Sequence, residues 1–155
     1  MANEAENAAL VRAAYAEWDA SKGASSQKWL ELMGDGVRFR SIAGGAKGME
    51  FTRDCASRDE VARYFAELAN DWQMIHYTVD ELIAQGDRVV MLGSCCWRNK
   101  HTGRVVDTPK ADFLRLHGAK VVEFYEFFDT AQAIAASTAG TAPQATAAVK
   151  TAVTS

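Results

Sequence analysis

Apolar residues recur with a helical period at the start of the chain. Leu10, Val11, Ala14, Tyr15 and Trp18 fall on one stripe, which predicts an amphipathic helix over residues 4–22, ended by Gly23. Ser26 is placed to cap a short second helix over 27–33, with Trp29, Leu30 and Met33 turned inward. Gly34-Asp35-Gly36 interrupts the pattern, and 37–42 then alternates as a strand. A Gly-rich loop spans 43–50. Ser57 and Glu60 form a capping box for a third helix, whose apolar positions are Val61, Phe65, Leu68 and Trp72.

The period then changes from helical to alternating. Four strands are predicted, over 74–84, 88–100, 104–116 and 120–128, with turns at 85–87, 101–103 and 117–119. Connections this short force antiparallel neighbours. A brief helix runs from Asp129 or Thr130 to about residue 137, and residues 138–155, rich in Ala and Thr, are expected to be a frayed tail. Helices grouped ahead of an antiparallel meander predict a single α+β domain over 1–137, with helices covering one face of the sheet. The last strand has two apolar sides, Val122, Phe124 and Phe128 against Val121, Tyr125 and Phe127. One side meets the helices, and the other needs a cover that a homodimer would supply.

Composition narrows the partners. The 155 residues are 48% apolar and 24% charged, with a net charge of −3. That is an ordinary globular composition with no broad basic field, so neither nucleic acid nor a membrane surface is an expected partner. No apolar run is long enough to span a bilayer. The acidic start, Met1-Ala2-Asn3-Glu4-Ala5-Glu6, is unlike a secretory signal. Cys55, Cys95 and Cys96 are odd in number and form no C-x-x-C pair, which favours a reducing compartment and a cytoplasmic location. Neither thiol of the adjacent pair has a helix N-terminus nearby to make it a nucleophile. His76, His101 and His117 have no ligand-like spacing with each other or with the cysteines, so no metal is expected. The Gly44–Gly48 loop lacks the ending of a phosphate-binding loop, and no nucleotide cofactor is expected.

Chemistry is suggested by charges that fall inside apolar strand faces. Asp112 shares parity with Leu114 and Leu116, and Glu126 lies between Phe124 and Phe128. A carboxyl in such a place must be paired, protonated or set in a cavity. Lys110 shares the face of Asp112, so one reading is a plain Lys110–Asp112 pair with Glu126 turned to solvent by a bulge. The other is a catalytic cavity. Tyr15 sits beside Trp18 on the buried helix stripe, as a core residue or as a hydroxyl donor. Arg38 and Arg40 alternate with Val37 and Phe39, as a solvated strand face or as a cationic cavity wall. His76, on a strand, is a candidate proton shuttle or a structural histidine.

The combined pattern resembles the nuclear-transport-factor-2-like superfamily, in its ketosteroid isomerase and SnoaL-like branches. The resemblance covers residues 8–136 and rests on the 12–18 helix segment (RAAYAEW), the 86–90 hairpin (GDRVV), the 112–116 strand (DFLRL) and the 120–129 ending. It implies a cone, in which a curved antiparallel sheet wraps around the N-terminal helices and encloses a deep apolar pocket. It also implies that Tyr15 stands at the oxyanion-hole tyrosine of ketosteroid isomerases. Asp112 stands at their aspartic acid, kept neutral to donate a hydrogen bond. The general-base position of that branch is Arg40 here. By comparison with limonene-epoxide hydrolases, which share the cone, the catalytic Arg and two Asp positions fall near Gly93, Cys95 and Glu126.

Together these readings predict a cofactor-free enzyme that acts on a small, largely apolar molecule by acid–base chemistry, as an isomerase, cyclase, dehydratase or lyase. The expected catalytic set is Tyr15, Arg40, His76, Asp112 and Glu126. The pocket is expected to include Trp18, Phe65, Trp72, Cys95, Trp97, Lys110, Phe124 and Phe128. Two alternatives are a non-catalytic binding module for a hydrophobic ligand and a dimeric interaction domain.

Overall fold

The computed structural model describes residues 3–138. The expected tail therefore lies, beyond residue 138, outside the described residues. The chain forms α1 (Glu4–Ala20), α2 (Ser26–Leu32), β1 (Met33–Ser41), α3 (Arg58–Asp71), β2 (Trp72–Gln85), β3 (Arg88–Asn99), β4 (Val105–His117), β5 (Lys120–Phe128) and α4 (Thr130–Thr138). A short 3-10 turn, Glu50–Thr52, precedes α3.

Local chemistry sets the helix starts. The Asn3 side chain accepts the Glu6 amide at 3.1 Å to cap α1. At α3 the capping box is complete. Ser57 Oγ accepts the Glu60 amide at 3.2 Å, and the Glu60 carboxylate accepts the Ala56 amide at 2.7 Å. Trp72 is not the last helical residue that the spacing predicts, because the chain turns extended at that point and Trp72 opens β2.

The five strands make one curved sheet in the order β1-β5-β4-β3-β2. The meander β2–β5 is antiparallel, as the short turns require. The sheet is not antiparallel throughout, because β1 pairs with β5 in parallel. A parallel neighbour cannot be joined by a hairpin, and here α3 and three strands separate the two in sequence. The register slips between Met74 and His76, between Val79 and Glu81, and between Arg115 and Leu116. Each slip is a bulge, and bulges bend a sheet. The helices fill the concave side, where Val11, Ala14, Val61, Val89, Met91, Leu114 and Val121 are wholly buried. Asp19 on α1 ties helix to sheet by accepting the Tyr77 amide at 2.9 Å.

The last bulge corrects the predicted sides of β5. Leu116 pairs with Val121 and Arg115 with Glu123, so Val122 is the extra residue. Val121, not Val122, therefore joins Phe124 in the core. At Gly48 the backbone has φ +86°, and a Cβ there would come within 2.5 Å of Ser137 and Thr138. Only glycine lets the 43–50 loop lie this close to α4.

Candidate active site

The concave side leaves a cavity beneath the helices, about 90 Å3 measured as space open to the centres of water-sized spheres. That is room for roughly six to nine waters, or for a small organic molecule that displaces them. Most of its wall is apolar and aromatic. Trp18, Phe65, Trp72, Trp97, Phe124 and Phe128 all line it, as does Cys95. Their rings pack edge-on or stacked, with Trp18–Phe65 centroids 5.4 Å apart and Phe39–Phe124 centroids 4.7 Å apart.

One patch of the wall is charged. Asp112 on β4 and Glu126 on β5 are directly opposed across the two strands. Like charges in that position repel. Lys110, two residues before Asp112 on the same face, bridges them. Its Nζ lies 2.5 Å from Asp112 Oδ1 and 3.2 Å from Glu126 Oε2. The side chains are 9%, 1% and 7% exposed for Lys110, Asp112 and Glu126, so the trio is out of bulk water. Burial alone disfavours the Lys110 ammonium. Asp112 and Glu126 outweigh it and raise the Lys110 pKa well above the ordinary lysine value.

Three tyrosines complete the patch. Tyr15 and Tyr77 both donate to Asp112 Oδ2, at 2.6 and 3.1 Å, and Tyr64 donates to Glu126 Oε1 at 2.8 Å. Burial first, and then the neighbouring carboxylates, push all three phenol pKa values well above 10.0. They stay protonated donors at neutral pH. Cys95 is likewise pushed up, to about 12, chiefly by burial, so it is a wall thiol and not a nucleophile.

The sequence-predicted residues divide cleanly. Tyr15, Asp112 and Glu126 meet in the cavity, with all eight of the predicted pocket residues around them. Both halves of the weighed alternative are present in part: Asp112 is paired with Lys110, yet Glu126 is buried and does not turn to solvent. The role expected of Asp112 changes. It accepts three hydrogen bonds, from Lys110, Tyr15 and Tyr77, which is the inventory of an acceptor-only carboxylate and not of a neutral donor.

Arg40 and His76 are not in the cavity. Arg40 lies on the outer face, where its guanidinium stacks 4.1 Å from the Tyr125 ring centroid and reaches Glu123 at 3.6 Å. Phe39, its neighbour, holds the inward position. His76 is excluded for the same reason, since Tyr77 beside it faces inward. Gly93 leaves no side chain at the position compared with an epoxide hydrolase arginine. Tyr64 and Tyr77 are functional candidates that the sequence reading missed. Tyr64 stands three residues after Val61, a position on the buried helix stripe that would have revealed it.

The comparisons agree with this architecture. A search of functionally curated proteins gives no match. Among solved structures, an NTF2-like protein of unknown function from Burkholderia pseudomallei K96243 is 24% identical, with a TM-score of 0.76 over 86% of this chain and 98% of its own. A SnoaL-like polyketide cyclase, so named provisionally, from Jannaschia sp. CCS1 is 18% identical, with a TM-score of 0.72 over 88% and 94%. An epoxide hydrolase of the limonene-epoxide-hydrolase-like type from M. tuberculosis is 9% identical, with a TM-score of 0.65 over 86% and 90%. At these identities the likeness is one of fold. The sequence itself matches the SnoaL-like domain model over residues 11–124, a span that runs from the buried Val11 of α1 to the cavity residue Phe124, and so the chain belongs to the SnoaL-like domain family.

Proposed function

We propose that the protein is a cofactor-free enzyme that moves a proton on a small, largely apolar carbonyl compound. The observation that carries this reading is the buried Glu126–Lys110–Asp112 trio in the wall of an otherwise apolar cavity. Glu126 has the role of base. Each of its oxygens accepts one hydrogen bond, from Tyr64 or from Lys110, and so keeps a lone pair for a substrate C–H. As the proton leaves carbon, electrons collect on the substrate oxygen. The Lys110 ammonium and the Tyr64 hydroxyl are the groups placed to meet that charge in a site of low dielectric. Asp112, held by Tyr15 and Tyr77, positions Lys110. Isomerisation, cyclisation, dehydration and carbon–carbon cleavage can all begin from the resulting enolate. Fold relatives named as a cyclase and an epoxide hydrolase fit a cavity used for small organic molecules. The three free thiols fit a reducing compartment, and we place the protein in the cytoplasm.

A second reading is supported by one feature. Every polar group of the patch already has a partner inside it, as in a structural network, which suits a module that binds an apolar ligand without turnover.

Proton exchange separates the two. A panel of cyclic ketones is incubated with the protein in D2O, and loss of the α-proton signal is followed by NMR, with binding read separately by saturation transfer. Enzyme chemistry predicts accelerated exchange, abolished in Glu126→Gln with ligand binding retained. Ketones that bind and exchange no faster than in buffer would make the cavity a binding site only.

A further inference from the structure

The outer face of the sheet carries a second group of side chains of metal-ligating type, outside the cavity. His76 on β2 is the cross-strand partner of Cys96 on β3, and Cys96 is the partner of Asp107 on β4. Three strands thus present an imidazole, a thiol and a carboxylate in one row on one face. Two strand spacings, about 9–10 Å, separate the backbones of the outer two. Yet one ligand atom of each residue lies within 4.8 Å of both others. His76 and Asp107 therefore lean inward over Cys96.

Two further observations mark this row as more than a chance grouping. Nδ1 of His76 is buried and has no hydrogen-bond partner, an unusual state for a ring nitrogen. Cys96 is a free, buried cysteine on the side of the sheet away from the core helices. Its thiol is held protonated first by burial and then by Asp107, with Arg98 acting the other way. An imidazole nitrogen, a thiolate sulfur and a carboxylate oxygen are the three ligand types of zinc sites, whereas calcium and magnesium require oxygen throughout. Around a tetrahedral ion, bonds of this kind place the ligand atoms roughly 3.3–3.8 Å apart. The remaining closure is a side-chain rotation, open to the exposed Asp107 and the half-buried His76.

We propose that His76, Cys96 and Asp107 bind one zinc-class divalent ion, with water in the fourth position, and that the ion clamps β2, β3 and β4 from behind the cavity. Each ligand is the chain neighbour of a cavity residue: Tyr77 follows His76, Cys95 precedes Cys96, and Thr108 follows Asp107. Fixing the three ligands fixes the strand register that places those cavity residues. Binding exchanges the Cys96 thiol proton for a metal–sulfur bond and releases that proton to solvent.

The test uses the full chain, reduced and stripped of metal with a chelator. Cobalt(II) is titrated in and the near-ultraviolet thiolate-to-cobalt charge-transfer band is recorded. The expected result is a band that saturates at one cobalt per chain, bleaches on addition of zinc, is lost in Cys96→Ser and persists in Cys55→Ser and Cys95→Ser. Zinc should raise Tm in the unsubstituted protein and leave Cys96→Ser unmoved. His76→Asn and Asp107→Asn, which change only exposed or half-buried groups, should each weaken cobalt binding, and they carry the test should Cys96→Ser fold poorly. Absence of the band at equimolar cobalt, its survival in Cys96→Ser, or unchanged affinity in both other variants overturns the proposal.

Discussion

Lys110→Met is the sharpest perturbation of the cavity. The substitution nearly conserves length and volume, so it removes the charge and little of the packing. What remains is a pair of opposed carboxyl groups, Asp112 at 1% and Glu126 at 7% exposure, with no cation between them. Were these groups at the surface, losing an ion pair would cost about 0–1 kcal/mol. Buried, an ion pair broken on one side costs about 3–5 kcal/mol, because the orphaned charge stays desolvated. A domain of 155 residues loses roughly 2–4 °C of Tm for each kcal/mol. The expected fall is therefore on the order of 10 °C. With a urea m-value of about 2 kcal/mol/M, the same loss moves the unfolding midpoint by about 2 M.

The control is charge removal on the other side. Adding Asp112→Asn and Glu126→Gln to Lys110→Met leaves three neutral groups of similar shape, and stability should recover in part. Urea unfolding of the single and triple variants, read by tryptophan fluorescence, gives both numbers. A loss under about 1 kcal/mol for Lys110→Met would mean that water reaches the trio, and the argument for a desolvated catalytic patch would fail. A triple variant no more stable than the single one would assign the loss to packing and not to charge.

Other outcomes follow from the same structure. Lys110, Tyr15, Tyr64 and Tyr77 all have pKa values raised in the folded state, so the native protein keeps protons that the unfolded chain releases near pH 10. Their contribution is complete below about pH 10 and is lost as pH rises through the folded values, at about 1.4 kcal/mol per pH unit for each group; urea midpoints between pH 8 and 11 should fall less steeply in Tyr64→Phe. Gly93→Ala drives a Cβ into the Thr78 carbonyl oxygen, which belongs to the backbone and cannot swing aside, so a loss of about 1–3 kcal/mol or more is expected in thermal unfolding. The outer face exposes Ile75, Leu92, Val105 and Phe127, and a homodimer through it predicts a two-chain mass by sedimentation that Phe127→Glu reduces to one; a single-chain mass in the unsubstituted protein would refute the pairing.

Much of this site was legible because strand alternation is a strict rule. Asp112 and Glu126 stand at even spacing from Leu114 and Phe124, and a period of two places them on the core face with no knowledge of the fold. The Ser57–Glu60 capping box was legible for a similar reason, since hydrogen bonding over three residues is local. The partners of the two carboxyls were less so. Tyr15 comes 97 residues before Asp112, and Tyr64 comes 62 before Glu126. Such pairs are made by the closing of helices onto the sheet, which no short-range spacing encodes.

Bulges account for two further differences, the sides of β5 and of β2. The slip after Met74 makes Ile75 the extra residue, so that Tyr77 faces inward with Met74 and His76 faces outward. Had β2 kept a perfect alternation, His76 would share the side of Met74 and Tyr77 would stand outside. The cavity would then hold an imidazole in place of the second phenol on Asp112. The same displacement takes His76 to the row that contains Cys96 and Asp107, 20 and 31 residues further along the chain. Spacing along the sequence excludes a metal site among these residues because it tests ligands of one turn or one helix face. Register across three strands brings them together. One inserted residue thus assigns a histidine and a tyrosine to opposite sides of the sheet, and with them the acid–base chemistry proposed for one face and the metal binding proposed for the other.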